Sequence, residues 1–131
     1  MKILKKKIKF SHIISNQELN KFINLSGDNN PLHTSIICAK KFNFSDRILH
    51  GALIVSYFSK IIGTRLPGKN SLILFSEYKF HKPAYPNTVI TFTGERKSFN
   101  AATKTFEIHL TASNNKSLLV SGTVVCKKYK L

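Results

Sequence analysis

Over residues 7–12, apolar Ile8 and Phe10 alternate with polar neighbours, the period-two pattern of a strand or extended edge. The period then lengthens. Ser15-Asn16-Gln17-Glu18 has the Ser-x-x-Glu form of a capping box, and Leu19, Phe22 and Ile23 follow at helical spacing, which predicts a short amphipathic helix to about Leu25. Ser26-Gly27-Asp28-Asn29-Asn30-Pro31 concentrates turn formers, with Gly27 and Pro31 as breakers, so a loop is expected where that helix ends. A second short helix is expected over 34–41 and a connector over 43–47. The stretch 50–65 is the most apolar long segment, with Leu53, Ile54, Tyr57, Phe58, Ile61 and Ile62 at separations of three and four and a stop at Pro67-Gly68. Apolar around most of its circumference, it reads as a buried central helix. Segments 71–80, 88–99, 104–113 and 118–128 are rich in β-branched and aromatic residues, and turn signals at Pro83, Pro86, Asn100-Ala101-Ala102 and Asn114-Asn115 separate them. They predict four strands in meander order, an antiparallel sheet with the apolar helix on its concave face, and an α+β class.

Composition adds bounds. With 131 residues and no internal repeat or linker, the chain is expected to form one domain, residues 1–131. No stretch approaches the roughly 18–20 apolar residues that span a bilayer, which excludes a membrane-spanning helix. Lysines at 2, 5, 6, 7 and 9 resemble the charged start of a secretory signal, but no continuous apolar run follows, so the segment reads as part of the domain. Cys38 and Cys126 are the only cysteines and are expected as reduced thiols in a cytoplasmic protein.

The formal net charge of +15, from 21 Lys and Arg against 6 Asp and Glu, is the unusual quantity. Basic surfaces attract nucleic acid, anionic lipid, or acidic and phosphorylated carriers such as coenzyme A and acyl carrier protein. A Lys- and Asn-rich coding bias that only solvates the surface accounts for it equally well. No helix-turn-helix, zinc-finger or aromatic RNA-binding pattern accompanies the lysines, so nucleic acid is the weakest partner.

Candidate chemistry concentrates in one loop. Asp28 and His33 can bring a carboxylate and an imidazole to one site, a combination able to deprotonate water and return a proton to carbon. Each alone is ordinary: an aspartate after a helix is usually a turn residue, and a single histidine is usually structural. His12, His81 and His109 have no partner at ligand spacing, so no zinc site is expected, and no Gly-rich turn of the dinucleotide-binding type is present.

The longer pattern Leu25-Ser26-Gly27-Asp28-Asn29-Asn30-Pro31-Leu32-His33 resembles the hydratase-2 motif of the MaoC-like, (R)-specific enoyl-CoA hydratase family. The resemblance continues through Ile48-Leu49-His50-Gly51, Ser59 on the central helix, and Leu66-Pro67-Gly68-Lys69-Asn70-Ser71. It implies a hot-dog fold, in which an antiparallel sheet wraps a long central helix, and a hydro-lyase that adds water reversibly to a trans-2-enoyl thioester. Carried over by position, it makes Asp28 and His33 the catalytic pair and Asn30 the holder of the loop and the water. Gly51 becomes the backbone N–H donor to the thioester carbonyl, a role that suits a helix N-terminus. Ser59 becomes the hydroxyl that orients the aspartate. It further implies a homodimer, and coenzyme A or acyl carrier protein as part of the substrate with no separate cofactor. His50 is expected to be structural, preceding the helix. Arg47 stands where proline is common in the family and Ala52 where a bulkier residue is usual, and both are expected to flank the acyl pocket. Lys69, Lys79, Lys82 and Lys97 are candidates for a carrier-binding surface. Two other functions compete: acyl thioester hydrolysis, and a non-catalytic acyl-carrier-binding module.

Overall fold

The structure, a computed structural model, describes residues 6–130. The lysines at 2 and 5 lie outside the described residues. The elements in chain order are β1 (Lys7–Ile13), α1 (Asn16–Ser26), α2 (Pro31–Thr34), α3 (Ile36–Lys41), α4 (Gly51–Thr64), β2 (Ser71–Phe80), β3 (Val89–Asn100), β4 (Thr105–Ser113) and β5 (Leu118–Lys128). Among the described residues no helix is long and apolar enough to cross a membrane.

The capping box forms as expected: the Ser15 hydroxyl accepts from the Glu18 N–H and the Glu18 carboxylate accepts from the Ser15 N–H. His12 and the Tyr57 hydroxyl also reach the Glu18 carboxylate, at 2.8 and 2.9 Å, tying β1, α1 and α4 together. Burial alone would raise the Glu18 pKa, but the Ser15, His12 and Tyr57 bonds together hold it below the ordinary value. The helix expected over 34–41 is two short ones. Ser35 ends α2, its N–H donating to the Pro31 carbonyl, and starts α3, its hydroxyl accepting from the Cys38 N–H.

The five strands are antiparallel in the order β1-β3-β4-β5-β2. The expected meander therefore holds only for β3, β4 and β5, and β2 lies at the far edge beside β5. The two-proline connection between β2 and β3 is long enough to cross the end of the sheet. It is pinned on the way, with the His81 N–H on the Leu119 carbonyl, the Leu49 N–H on the Ala84 carbonyl and the Asn87 N–H on the Ile14 carbonyl. This crossing fixes the residues just before α4, which is where the site is built.

Helix α4 lies against the sheet with Leu53, Ile54, Phe58, Ile61 and Ile62 buried, facing Ile90, Phe92, Ile108, Leu110, Val120 and Val124. Its other face, including Ala52, Ser56 and Ser59, is exposed, so the helix is less fully enclosed than its composition predicts. Phe58 is the centre of the contact, stacked on Tyr78 at 5.7 Å and edge-on to Phe92 at 5.8 Å, with no exposed surface. Phe58→Ala should cost about 3–5 kcal/mol, read as a lower urea midpoint at unchanged slope; an unshifted midpoint would contradict the packing described.

Candidate active site

The site begins where α1 ends. Gly27 takes a left-handed conformation, φ 76°, and its N–H returns to the Ile23 carbonyl, closing the helix and turning the chain into Asp28. The Asp28 N–H donates to the Ser26 hydroxyl, and Asp28 Oδ1 accepts from the Asn30 N–H at 3.2 Å. Asn30 then caps α2, its side-chain oxygen accepting from the Leu32 N–H, with Pro31 at the first helical position. The breakers expected to make a loop therefore start a helical turn, and that turn carries His33 back toward Asp28.

His33 is oriented from behind. Its Nδ1 lies 2.7 Å from the Ile48 carbonyl oxygen. A carbonyl only accepts, so Nδ1 carries the proton and Nε2 is left as an acceptor. Nε2 faces Asp28 Oδ2 across 4.0 Å, beyond hydrogen-bond reach but suited to one intervening oxygen. The histidine side chain is 12% exposed and the aspartate 51%, so one member is held in the protein and the other stands at its surface.

His50 supports both. Its side chain is 2% exposed, stacked on the His33 ring with centroids 3.7 Å apart and edge-on to Phe22 at 4.9 Å. Its Nε2 donates to the Asp28 backbone carbonyl at 2.9 Å. His50 precedes α4 without a side-chain capping bond, so its structural role is to hold the Asp28 backbone and one face of the His33 ring. Among the described residues its Nδ1 is buried without a hydrogen-bond partner.

Gly51 opens α4, placing the N–H groups of the first turn beside this cluster. A Cβ at Gly51 would meet the Phe80 ring at 2.6 Å, so a larger residue there would have to displace that half-exposed ring. Ser59 requires a correction. It lies eight residues along α4 from Gly51, about 12 Å at helical rise, on the exposed face, and among the described residues no hydrogen bond joins it to Asp28. The aspartate is instead fixed by Asn30 and His50.

Arg47 also differs from expectation. Its guanidinium turns toward α1, donating to Asn16 Oδ1 and Asn20 Oδ1 at 3.0 Å each and reaching the His33 carbonyl at 3.5 Å. It thus braces the His33 turn against α1. The roles of His50 and Arg47 depend on partners 14 to 31 positions away, which local spacing does not reveal. Of the lysines proposed for carrier binding, Lys97 is paired with Glu95 at 3.5 Å, and Lys79 lies beside Glu77 in a recess of about 440 Å³.

Asp28, His33 and His50 each bring a ligand-type atom within 4.8 Å of the others. Within this group His50 Nε2 donates to the Asp28 carbonyl, so the acceptors that face each other are His33 Nε2 and the Asp28 carboxylate.

An antiparallel sheet wrapped around one apolar helix, with polar groups gathered at that helix's N-terminus, is the hot-dog class of fold. The chain belongs to the family described as MaoC like domain, whose sequence model matches residues 2–118. It is 34% identical over 114 residues to the (R)-specific enoyl-CoA hydratase of Aeromonas caviae, covering 84% of this chain and 83% of that protein. With the (R)-specific enoyl-CoA hydratase of Rhodospirillum rubrum it shares 35% identity over 80 residues, 61% of this chain and 56% of that protein. Among solved structures, the A. caviae (R)-hydratase involved in PHA biosynthesis superposes with a TM-score of 0.91 at 28% identity, covering 97% of each chain.

Proposed function

We infer that the chain is a hydro-lyase that adds water reversibly across the double bond of a trans-2-enoyl thioester, giving the (R)-3-hydroxyacyl thioester. The observation that carries the assignment of roles is the facing pair: Asp28 Oδ2 and His33 Nε2, 4.0 Å apart, both available as acceptors. One water between them donates a hydrogen to each, which leaves an oxygen lone pair directed at the substrate. As the oxygen bonds to the β-carbon, the pair takes up one proton and returns one to the α-carbon. Negative charge on the thioester oxygen between those events is met by the Gly51 N–H at the positive end of α4. Asn30 holds the Asp28 carboxylate through its N–H, and Arg47 and His50 keep the His33 turn in place. The reaction needs only water and the thioester, with coenzyme A or a carrier protein as part of the substrate.

The β2 edge supports a homodimer. Leu72, Ile73, Leu74, Phe75 and Phe80 are 38–57% exposed on a strand whose outer ladder is unpaired among the described residues, and a two-fold partner would cover both. The free thiols of Cys38 and Cys126 fit a cytoplasmic setting.

The test is purified protein with crotonyl-CoA, following enoyl absorbance and free thiol together. Loss of absorbance without thiol, and an (R)-configured product, is expected. Release of thiol would identify hydrolysis instead, and no turnover of short or medium enoyl-CoA or enoyl-carrier substrates would sink the catalytic reading.

A further inference from the structure

At the other end of the sheet from Asp28, the tip of the β3–β4 hairpin and the end of β5 enclose a cleft of about 670 Å³. Its walls are Phe99, Phe106 and Tyr129, with Lys104, Lys127, Lys128 and Lys130 around them. Phe99 and Phe106 lie against each other at 4.8 Å, the Arg96 guanidinium covers the Phe106 ring at 4.8 Å, and the Lys127 ammonium lies over Tyr129 at 5.4 Å. Among the described residues Arg96 Nε is buried without a hydrogen-bond partner. None of the residues lining the cleft is acidic. Lys128 Nζ donates to the Pro67 carbonyl at 3.3 Å, but the four lysines still gather like charge around one concavity, and phosphate groups would relieve that repulsion. Aromatic rings with cations over them suit a planar base. The volume falls within the range of small-molecule sites. The family match ends at residue 118, so the β5 half of this cleft lies outside it.

We propose that this cleft binds the 3′-phosphorylated adenosine diphosphate end of a coenzyme A thioester and serves the catalytic loop of a second copy of the chain. This rests on the hydratase reading and settles its carrier, because a carrier protein presents a phosphopantetheine arm with no nucleotide. Within one chain the cleft is too far away. Lys128 pairs with Ser71 at one end of β2, whereas Phe80 at the other end packs on Gly51, so the two are separated by about 30 Å of strand. Antiparallel pairing of two β2 edges about their midpoint reverses this. Ser71 then faces Phe80 of the other copy, and Lys128 comes within two strand spacings of it, about 10 Å. The flexible pantetheine arm bridges that gap.

Adenosine 3′,5′-bisphosphate is the first probe. It should bind in calorimetry and compete with crotonyl-CoA, and the triple variant Lys104→Ala/Lys127→Ala/Lys130→Ala should weaken its binding tenfold or more. In the same variant, the ratio of kcat/KM for crotonyl-CoA to that for the crotonyl N-acetylcysteamine thioester should fall at least tenfold. An unchanged ratio, or no binding of the bisphosphate to the natural protein, overturns the proposal. So does an effect confined to an acyl-carrier-protein substrate or to a single-stranded oligonucleotide. If the natural protein turns over neither thioester, the hydratase reading fails, while the bisphosphate titration still judges the cleft. Subunit exchange tests the cross-subunit arrangement. An equimolar mixture of the triple variant with Asp28→Asn should recover about a quarter of the natural rate at low crotonyl-CoA, because half the dimers carry one intact site. A mixture no more active than its two parents overturns it.

Discussion

Asp28→Asn should reduce kcat on crotonyl-CoA by about 10²–10⁴-fold, the usual contribution of a positioned acid or base, and leave the fold intact. The asparagine keeps an oxygen at the place of Oδ1, so the Asn30 N–H retains its acceptor and the turn into α2 survives. With the oxygen held there by the Asn30 N–H, the NH₂ falls at the place of Oδ2, where it donates and cannot take a hydrogen from the water facing His33. The side chain is 51% exposed, so little packing is at stake. The check is steady-state turnover alongside a urea unfolding curve. Retained turnover would remove Asp28 from the mechanism, and lost turnover with a lowered midpoint would turn the result into a folding effect.

The local elements of this fold were legible because their signals are local. The Ser15 to Glu18 box, Gly27 at the end of α1 and the three-and-four spacing of Leu53, Ile54, Phe58, Ile61 and Ile62 each specify an element through residues within a few positions. Strand order was not legible. Hydrophobic pattern identifies β2 as a strand, but its place beside β5 and not β3 goes with the connection that crosses the end of the sheet and bonds to Leu119, Leu49 and Ile14. The same division holds at the site. Asp28, Asn30 and His33 lie in one short segment and could be read together, whereas Arg47, His50 and Phe80 act across the fold. Ser59 failed as a partner of Asp28 for a related reason: sharing a helix with Gly51 does not place a residue at the same end of it.

His33→Ala should lower kcat by a similar factor, about 10²–10⁴, and the double variant with Asp28→Asn should be no slower than the worse single one. Both groups are proposed to act on one water, so removing either leaves that water without its second acceptor, and removing the other then costs little more. Two independent functions would instead multiply their losses. The alanine also uncovers a face of His50 by removing the ring stacked on it at 3.7 Å, so a modest loss of stability is expected and must be measured beside the rate. His33→Gln separates the effects. It refills part of the space, and with its amide nitrogen on the Ile48 carbonyl it cannot also aim the side-chain oxygen at Asp28 as the imidazole aims Nε2. If the glutamine variant recovers stability while turnover stays low, the ring nitrogen and not the packing carries the reaction. If it recovers turnover as well, the facing-pair mechanism is wrong and His33 is a structural residue.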